Sequence, residues 1–357
     1  MERPRIWQKS KNVLTAGLTA SALLLAACVE HPEAAPVPHA PTEVSAYVPT
    51  YAVSQLPTGE DFRRLTEDLN SVDIAFGLPN ADGQVEAPDL SDDYIAALDN
   101  LSPDTELRLA VGGWSIDDSR EQMENNLQAV FANPKGFVES LFKARQTIAQ
   151  QLGREATAIG FTLDFEWPRP DQADEMTEIA ERISERDPDA TLAVAIPAGN
   201  ASDGFDVAAL APYVDDIHCM TYDFSTPDSG QGAAGYLAPE SAVLASIDSA
   251  VARAGDASKI VVGFPAYGYR FVGAKAMGQP FKPNGDGKAR EVLLKDIDPS
   301  KISADGQTLV DGAVVSVVTP DMAKRVMDIV RQRHPRIGGA FIWALPGANR
   351  QLIQALK

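Results

Sequence analysis

The chain has 357 residues, 45% of them hydrophobic, which is enough to bury the core of one large domain or two small ones. Asp and Glu outnumber Lys and Arg by 50 to 31, giving a formal net charge of −19. A chain this acidic repels phosphate backbones and anionic membrane surfaces, so we expect no nucleic-acid partner, whereas neutral polymers remain open.

The first 27 residues are typical of a secretory signal peptide rather than of folded structure. A basic start containing Arg3 and Arg5 precedes an uncharged stretch over 13–27, which is short for a membrane span. The stretch ends in Leu25-Ala26-Ala27-Cys28, which resembles the lipobox of bacterial lipoproteins. This resemblance implies a lipidated Cys28 and an anchored position in the cell envelope, and Val29 favours the outer membrane. The alternative is an ordinary cleaved signal with an incidental cysteine.

Residues 28–43 are rich in Pro and Ala and predict an extended tether to a domain over 44–357. We expect contact with the membrane only through the lipid. Cys219 is the only other cysteine, so a lipidated Cys28 leaves no pair for a disulfide. The apolar run around Cys219 indicates a small core residue.

From Val44 onward, short apolar runs alternate with amphipathic ones. Several runs are nearly continuous in apolar residues, as parallel strands covered on both faces are. The eight predicted strands are 44–48, 72–76, 107–111, 158–165, 191–196, 214–220, 260–264 and 337–342. Cap, Pro and Gly signals predict helices from Thr58, over 134–153, over 241–254 and from Thr319 to Pro335.

Eight strands with intervening helices predict one (β/α)₈ TIM barrel of the α/β class rather than two domains. The regular spacing is broken over 272–318, which is rich in Gly, Pro, Asp and Lys. We interpret this stretch as a small insertion between strands 7 and 8, with a possible strand over 313–318.

The fourth predicted strand carries two acids near its end, where barrel enzymes place their functional groups. Alternation puts Gly160, Thr162, Asp164 and Glu166 on one face and Phe161, Leu163, Phe165 and Trp167 on the other. The aromatic face is expected to pack under the helices, so that the acids point into the barrel.

Asp164 and Glu166, two residues apart on one strand, are expected to lie within roughly 7 Å of each other. Mutual repulsion and desolvation would then raise the pKa of one of them, as protonation of a glycosidic oxygen requires. The alternative is that Arg or Lys side chains neutralise both acids.

Aromatic residues gather at other strand ends. The third strand closes with Gly112-Gly113-Trp114, the sixth with Met220-Thr221-Tyr222-Asp223, the seventh carries Tyr267, and the eighth ends at Trp343. Indole faces stack on the C–H faces of sugar rings, so Trp114, Trp167 and Trp343 favour a saccharide ligand. Large aromatics that simply plug the barrel mouth are the alternative.

These motifs together resemble glycoside hydrolase family 18, the chitinase family, from Tyr47 on the first strand to Trp343 on the eighth. The family signature Asp-Gly-x-Asp-x-Asp-x-Glu aligns with residues 159–166, which places Glu166 on the catalytic acid and Asp164 on the acid before it. The family's Ser-x-Gly-Gly aligns with residues 110–113, and its Met-x-Tyr-Asp is intact at 220–223.

The resemblance implies hydrolysis of β-1,4 bonds next to N-acetylglucosamine, in chitin or chitooligosaccharides, by a retaining, substrate-assisted mechanism. Glu166 would protonate the leaving oxygen and then activate water, while the substrate's acetamido oxygen attacks the anomeric carbon. Asp164 would hold the acetamido N–H, and Tyr222 would hydrogen-bond its oxygen. The implied substrate-binding residues are Asp223, Trp343, Trp114, Tyr47, Tyr267 and Met220.

No cofactor or metal is expected, since the four histidines are scattered along the chain. The chain departs from the family pattern at four places: Ile159, Thr162 and Ala110 replace Asp, Asp and Ser, and Tyr269 precedes Arg270 where the family places Arg directly after Gly. The Thr162 hydroxyl is expected to hydrogen-bond Asp164, on the same face of the strand.

Two other functions stay open. Some barrels of this family are lectins that bind chitin-like sugars, and they typically lose the catalytic Glu, which is present here as Glu166. An endo-β-N-acetylglucosaminidase acting on glycoproteins would differ only in what fits beside the acceptor subsite.

Overall fold

A computed structural model of the protein describes residues 43–113, 119–228, 232–283 and 285–357, the side chains of 200–202 excepted. Eight parallel strands close into a barrel, because the first strand pairs with both the second and the last. Numbered along the chain, the strands of the barrel and those outside it are β1 (Glu43–Pro49), β2 (Ser71–Pro79), β3 (Val85–Glu86), β4 (Glu106–Gly112), β5 (Ile159–Asp164), β6 (Leu192–Pro197), β7 (Asp216–Met220), β8 (Ile260–Pro265), β9 (Tyr267–Phe271), β10 (Glu291–Leu293), β11 (Gln307–Val310), β12 (Ala313–Val317) and β13 (Gly339–Trp343). The order around the barrel is β1, β13, β8, β7, β6, β5, β4 and β2.

Helices connect the strands and cover the outside of the barrel. They are α1 (Gly59–Thr66), α2 (Asp92–Asp99), α3 (Arg120–Ala132), α4 (Pro134–Leu152), α5 (Ala173–Arg186), α6 (Val207–Leu210), α7 (Glu240–Ala254), α8 (Pro320–Arg333) and α9 (Arg350–Leu356). Their ends follow the sequence signals: the Thr319 side chain accepts from the Met322 N–H at the start of α8, and Gly153 ends α4 with φ of 62°. The predicted (β/α)₈ barrel is confirmed.

The outward face of β5 packs against the helices. Phe161, Leu163 and Phe165 are buried in the large core between the barrel and its helices. The Phe165 ring lies 5.7 Å from that of Phe131 on α3, edge to face. The prediction that Trp167 shares this packing is wrong: β5 ends at Asp164, so the alternation stops there and Trp167 is 36% exposed.

The barrel interior contains a buried polar layer around Arg108 on β4. The Arg108 guanidinium pairs with Asp73 on β2 at 3.1 Å and with Asp216 on β7 at 2.8 Å. It also donates to Ser71 Oγ at 2.8 Å. The buried charges of this layer are therefore held by ion pairs and hydrogen bonds, without which their desolvation would be costly.

A small antiparallel sheet lies between the seventh and eighth barrel strands. Its order is β10, β9, β12 and β11. It begins at Tyr267, before the predicted start at 272, because β9 pairs with β10 and β12 along its length. The strand expected over 313–318 is β12. In the described ranges, no helix is long and apolar enough to cross a membrane.

Candidate active site

A cleft of about 770 Å³ opens where the barrel strands end. Seven of the predicted site residues line it: Asp164, Glu166, Met220, Tyr222, Asp223, Tyr267 and Trp343. They come from β5, β7, β9 and β13 or the residues just beyond, so barrel closure brings together positions that are far apart in the chain. Trp114 lies outside the described residues.

Asp164, which is buried, and Glu166, which is partly buried, are the acids at the end of β5 in this cleft. Asp164 is the last residue of β5, is 3% exposed, and its Oδ1 has no hydrogen-bond partner in the described part of the chain. Burial raises the pKa of Glu166 to about 7, and the charge of Asp223 adds to this. Burial, then the charges of Glu166 and Asp73, raise the pKa of Asp164 well above its usual range.

No Arg or Lys of the described ranges forms an ion pair with either acid, so the structure does not support the alternative of neutralised acids. The nearby buried cation, Arg108, is held by Asp73 and Asp216 instead. The prediction that Thr162 hydrogen-bonds Asp164 is wrong, because the Thr162 hydroxyl donates to Asp73 Oδ1 at 2.5 Å. β2 and β5 both pair with β4, so the Asp73 and Thr162 side chains meet across β4 inside the barrel.

Asp73 and Arg108 thus form a layer beneath the acids, and neither residue was predicted from the sequence. Burial raises the pKa of Asp73, whereas Arg108 and the Thr162 hydrogen bond act in the opposite direction. The available signal was a charged residue inside each of two otherwise apolar strands. An Arg or Asp at an inward position of such a strand needs a partner inside the barrel.

The indole of Trp343 lines the cleft and packs against buried aromatic rings. It stacks on Phe76 with ring centroids 5.6 Å apart, and the Tyr47 ring meets its face edge-on at 5.5 Å. A side chain at Gly113 would collide with Phe76, since its Cβ would lie 2.3 Å from the ring. The second glycine of the Gly112-Gly113 motif thus leaves room for the Phe76 ring that packs against Trp343.

Tyr47 packs against Trp343 and does not line the cleft. It is 1% exposed, and its hydroxyl lies 3.0 Å from Nδ1 of the buried His218. Burial lowers the pKa of His218 well below its usual range, with a smaller contribution from the charge of Arg108. The prediction that Tyr47 binds the sugar directly is therefore wrong, and its ring packs against Trp343 instead.

Tyrosines surround the mouth of the cleft beside Asp223. The Tyr267 hydroxyl donates to Asp223 Oδ1 at 2.5 Å, and the Tyr269 hydroxyl donates to Oδ2 at 3.3 Å. Burial and the charge of Asp164 raise the pKa of Tyr222 well above its usual range. Tyr222 therefore keeps its proton and can donate a hydrogen bond to a ligand.

Several further cleft residues were not predicted as site residues, among them Tyr51, Tyr269 and Glu291. Glu291 lies directly across from Tyr269 in the β9–β10 pairing, so both side chains face the cleft. The sequence offered no signal for Glu291, because its position depends on a register between short strands. Among the described residues, no group of three or more His, Cys, Asp or Glu side chains could hold a metal ion.

The chain is similar to known proteins in sequence and in fold. The sequence model described as "Glycosyl hydrolases family 18" matches residues 43–347. "Endochitinase 1" of Metarhizium robertsii is 28% identical over 278 residues, which cover 68% of this chain and 61% of that protein. The chain thus spans less than two thirds of that relative's length.

Solved structures share the fold at low sequence identity. The Group IV chitinase of Ostrinia furnacalis superposes with a TM-score of 0.71 at 17% identity, covering 88% of this chain and 98% of that one. A chitinase-like agglutinin from Robinia pseudoacacia gives 0.67 at 15% identity, covering 87% and 98%. The same barrel thus occurs in proteins named as chitinases and in one named as an agglutinin.

The charge of Asp223 contributes to the raised pKa of Glu166. Asp223→Asn should lower the pKa of Glu166 below about 7, because the charge of Asp223 favours the protonated form. The amide oxygen can still accept from Tyr267, so the local structure should persist. A pH titration of ¹³C-labelled Glu side chains by NMR, with Glu166→Gln used to assign the signal, measures the shift.

Asp104→Asn is the matched control, since Asp104 is exposed and precedes β4, at the opposite end of the barrel. It should leave the Glu166 titration in place. An unchanged Glu166 pKa in Asp223→Asn would show that the two carboxyl groups do not interact.

Proposed function

This chain belongs to glycosyl hydrolase family 18, and we propose that it hydrolyses β-1,4 glycosidic bonds next to N-acetylglucosamine in chitin or chitooligosaccharides. The observation that carries the proposal is a pair of acids with raised pKa, the buried Asp164 and the partly buried Glu166, without a cation partner in the described chain. The pair lies in a cleft with an aromatic lining that suits a sugar ring.

Glu166 is proposed as the general acid. A carboxyl group with a pKa of about 7 is protonated in a large fraction of molecules at neutral pH, so it can give its proton to the leaving oxygen. Once ionised, the same group can take a proton from the water that completes the reaction. Activity is therefore expected to fall as the pH rises through about 7, because the acid form is lost.

The substrate's own acetamido group is proposed as the nucleophile. In this proposal, the unpartnered Oδ1 of Asp164 accepts the acetamido N–H, and the protonated Tyr222 hydroxyl donates to the acetamido oxygen. These two contacts would orient the acetamido oxygen toward the anomeric carbon and stabilise the positive charge that develops there. Trp343 would support the sugar ring from below.

A sugar-binding role without cleavage is the competing function for this fold. A lectin has no need of a buried, unpaired acid with a raised pKa, since burial of such groups costs free energy that binding alone does not recover. The retention of Glu166 in this electrostatic setting supports catalysis over binding alone. Cleavage of glycoproteins rather than chitin would use the same acids.

We also propose that the domain is held at the cell envelope, at the outer membrane, by a lipid on Cys28. The proposal rests on the signal-like residues 1–27 and on the Leu-Ala-Ala-Cys sequence at 25–28. The following Pro- and Ala-rich tether would let the domain reach a polymer outside the membrane.

Glu166→Gln should reduce turnover of chitooligosaccharides by about 10²-fold or more, because the amide keeps the shape of the side chain but has no proton to donate. Binding of the same oligosaccharides, measured by calorimetry, should persist. Mass spectrometry of products from chitooligosaccharides and from N-glycoproteins would give the rates and identify the substrate.

Glu155→Gln provides the control, since Glu155 is exposed just before β5 and makes no cap hydrogen bond with its side chain. It should retain full turnover. Equal rates in wild type and Glu166→Gln would contradict the proposed chemistry and favour the lectin.

Cys28→Ser should move the protein from the membrane fraction to the soluble fraction, because it removes the thiol that would carry the lipid. Cell fractionation combined with a labelled fatty acid measures this. Absence of label on the wild-type chain would show that Cys28 is not lipidated.

A further inference from the structure

The cleft carries an excess of acidic groups that catalysis does not use. Glu124, Asp228 and Glu291 line it in addition to Asp164, Glu166 and Asp223, and the lining includes one basic residue, Arg120, among the described positions. Arg120 pairs with Glu124, and Arg290 pairs with Asp228. The four remaining carboxyl groups of the lining form no ion pair with a described Lys, Arg or His side chain. They belong to Asp164, Glu166, Asp223 and Glu291.

The course of β9 explains why Asp223 lacks a basic partner. Side chains alternate along the strand, so Tyr267 and Tyr269 face the cleft, whereas Arg270 faces away from it. Arg270 is 3% exposed and forms an ion pair with Asp286 at 2.7 Å. Asp223 consequently receives two tyrosine hydroxyls rather than a guanidinium.

Glu291 extends this acidic region along the cleft. It lies across from Tyr269 in the β9–β10 pairing, and no side chain of the described chain forms an ion pair or hydrogen bond with its carboxyl group. Glu291 is exposed on the rim of the cleft, and partial desolvation there, followed by the charge of Asp223, raises its pKa. Two carboxyl groups that repel each other in a partly desolvated cleft would be relieved by a cation placed between them.

Exposed aromatic side chains border the same region. Tyr51 is 45% exposed and lines the cleft together with Glu291 and Glu166. Desolvation, and then the charges of Glu291 and Glu166, raise the pKa of Tyr51 to about 12. Trp167, next to Glu166, is 36% exposed. Exposed rings in a cleft are suited to stack on sugars. A sugar that carries a positive charge would therefore match both the rings and the carboxyl groups.

We propose that Asp223 and Glu291 form a subsite for the ammonium group of a glucosamine unit, so that the preferred substrate is partially de-N-acetylated chitin. This inference rests on the proposed function. The scissile sugar itself must keep its acetamido group, because that group is the nucleophile. The glucosamine unit therefore occupies a position next to the scissile sugar, where its protonated amine meets the two carboxylates.

The test uses the full domain with two substrates, a fully acetylated chitooligosaccharide and a randomly, partially acetylated chitosan. Mass spectrometry of the chitosan products gives the sugar on either side of each cleaved bond. We expect N-acetylglucosamine at every new reducing end. Glucosamine should be enriched above the polymer's average composition at a neighbouring position, and added salt should weaken this enrichment because it screens the charges.

Glu291→Gln should lower the ratio of kcat/KM on chitosan to kcat/KM on the acetylated substrate by about three- to tenfold, as expected for loss of one partly exposed charge pair. The glucosamine enrichment should fall with it. Glu155→Gln, which removes the same charge at the other end of the barrel, should leave both substrate ratio and enrichment as in wild type. Unfolding midpoints of both variants confirm that the fold is kept.

The outcomes separate this inference from the proposed function. Cleavage of the acetylated substrate without glucosamine enrichment, or with enrichment that survives in Glu291→Gln, would overturn the ammonium subsite and leave the hydrolase intact. Absence of all cleavage would overturn the hydrolase. In that case, calorimetry with a glucosamine oligosaccharide tests the subsite by itself. If the subsite exists, the Glu291→Gln variant must bind this oligosaccharide more weakly than wild type does.

Discussion

Desolvation of carboxyl groups is the constraint on which the site depends. β5 carries Asp164 and Glu166 to the end of a closed barrel, where side chains and backbone shield them from water and no cation of the described chain balances them. Such an arrangement is unfavourable for stability, because burial penalises the ionised form. Its consequence is chemical: a carboxyl group that would be ionised in water keeps its proton near neutral pH.

The barrel separates its interior charges into two layers. In the lower layer, Arg108 is committed to Asp73 and Asp216, and Thr162 donates to Asp73. In the upper layer, Asp164 and Glu166 face the cleft. If Arg108 reached the upper layer, its positive charge would lower the pKa of both acids. The lower layer thus preserves the electrostatics of the upper one, although Asp73 and Arg108 do not line the cleft.

The sequence predicted the strands well because they are short, nearly continuous apolar runs between helix signals, a pattern typical of parallel strands. It also placed Asp164, Glu166, Tyr222 and Trp343 in the site, since each lies at or just beyond the end of a strand. Contacts between strands were less accessible. Thr162 reaches Asp73 rather than Asp164, and Tyr47 lies beneath Trp343, because the packing of several strands inside the closed barrel decides both.

The small sheet shows the same limit more clearly. The stretch over 272–318 is recognisable as an insertion, but its composition does not reveal that β10 pairs with β9 and turns Glu291 toward the cleft. Nor does it reveal that Arg270 turns away to Asp286. Register between short strands is specified by packing and turn geometry, which a single sequence shows poorly.

The acids Asp164 and Glu166 are proposed to work with a nucleophile that the substrate supplies. The configuration of the first product tests this most directly, because attack by the acetamido group followed by attack of water inverts the anomeric carbon twice. Rapid ¹H NMR of a chitooligosaccharide digest should therefore show the β-anomer at the new reducing end before mutarotation. Initial formation of the α-anomer would mean direct attack by water, with Asp164 or another carboxylate as its base, and would contradict the account.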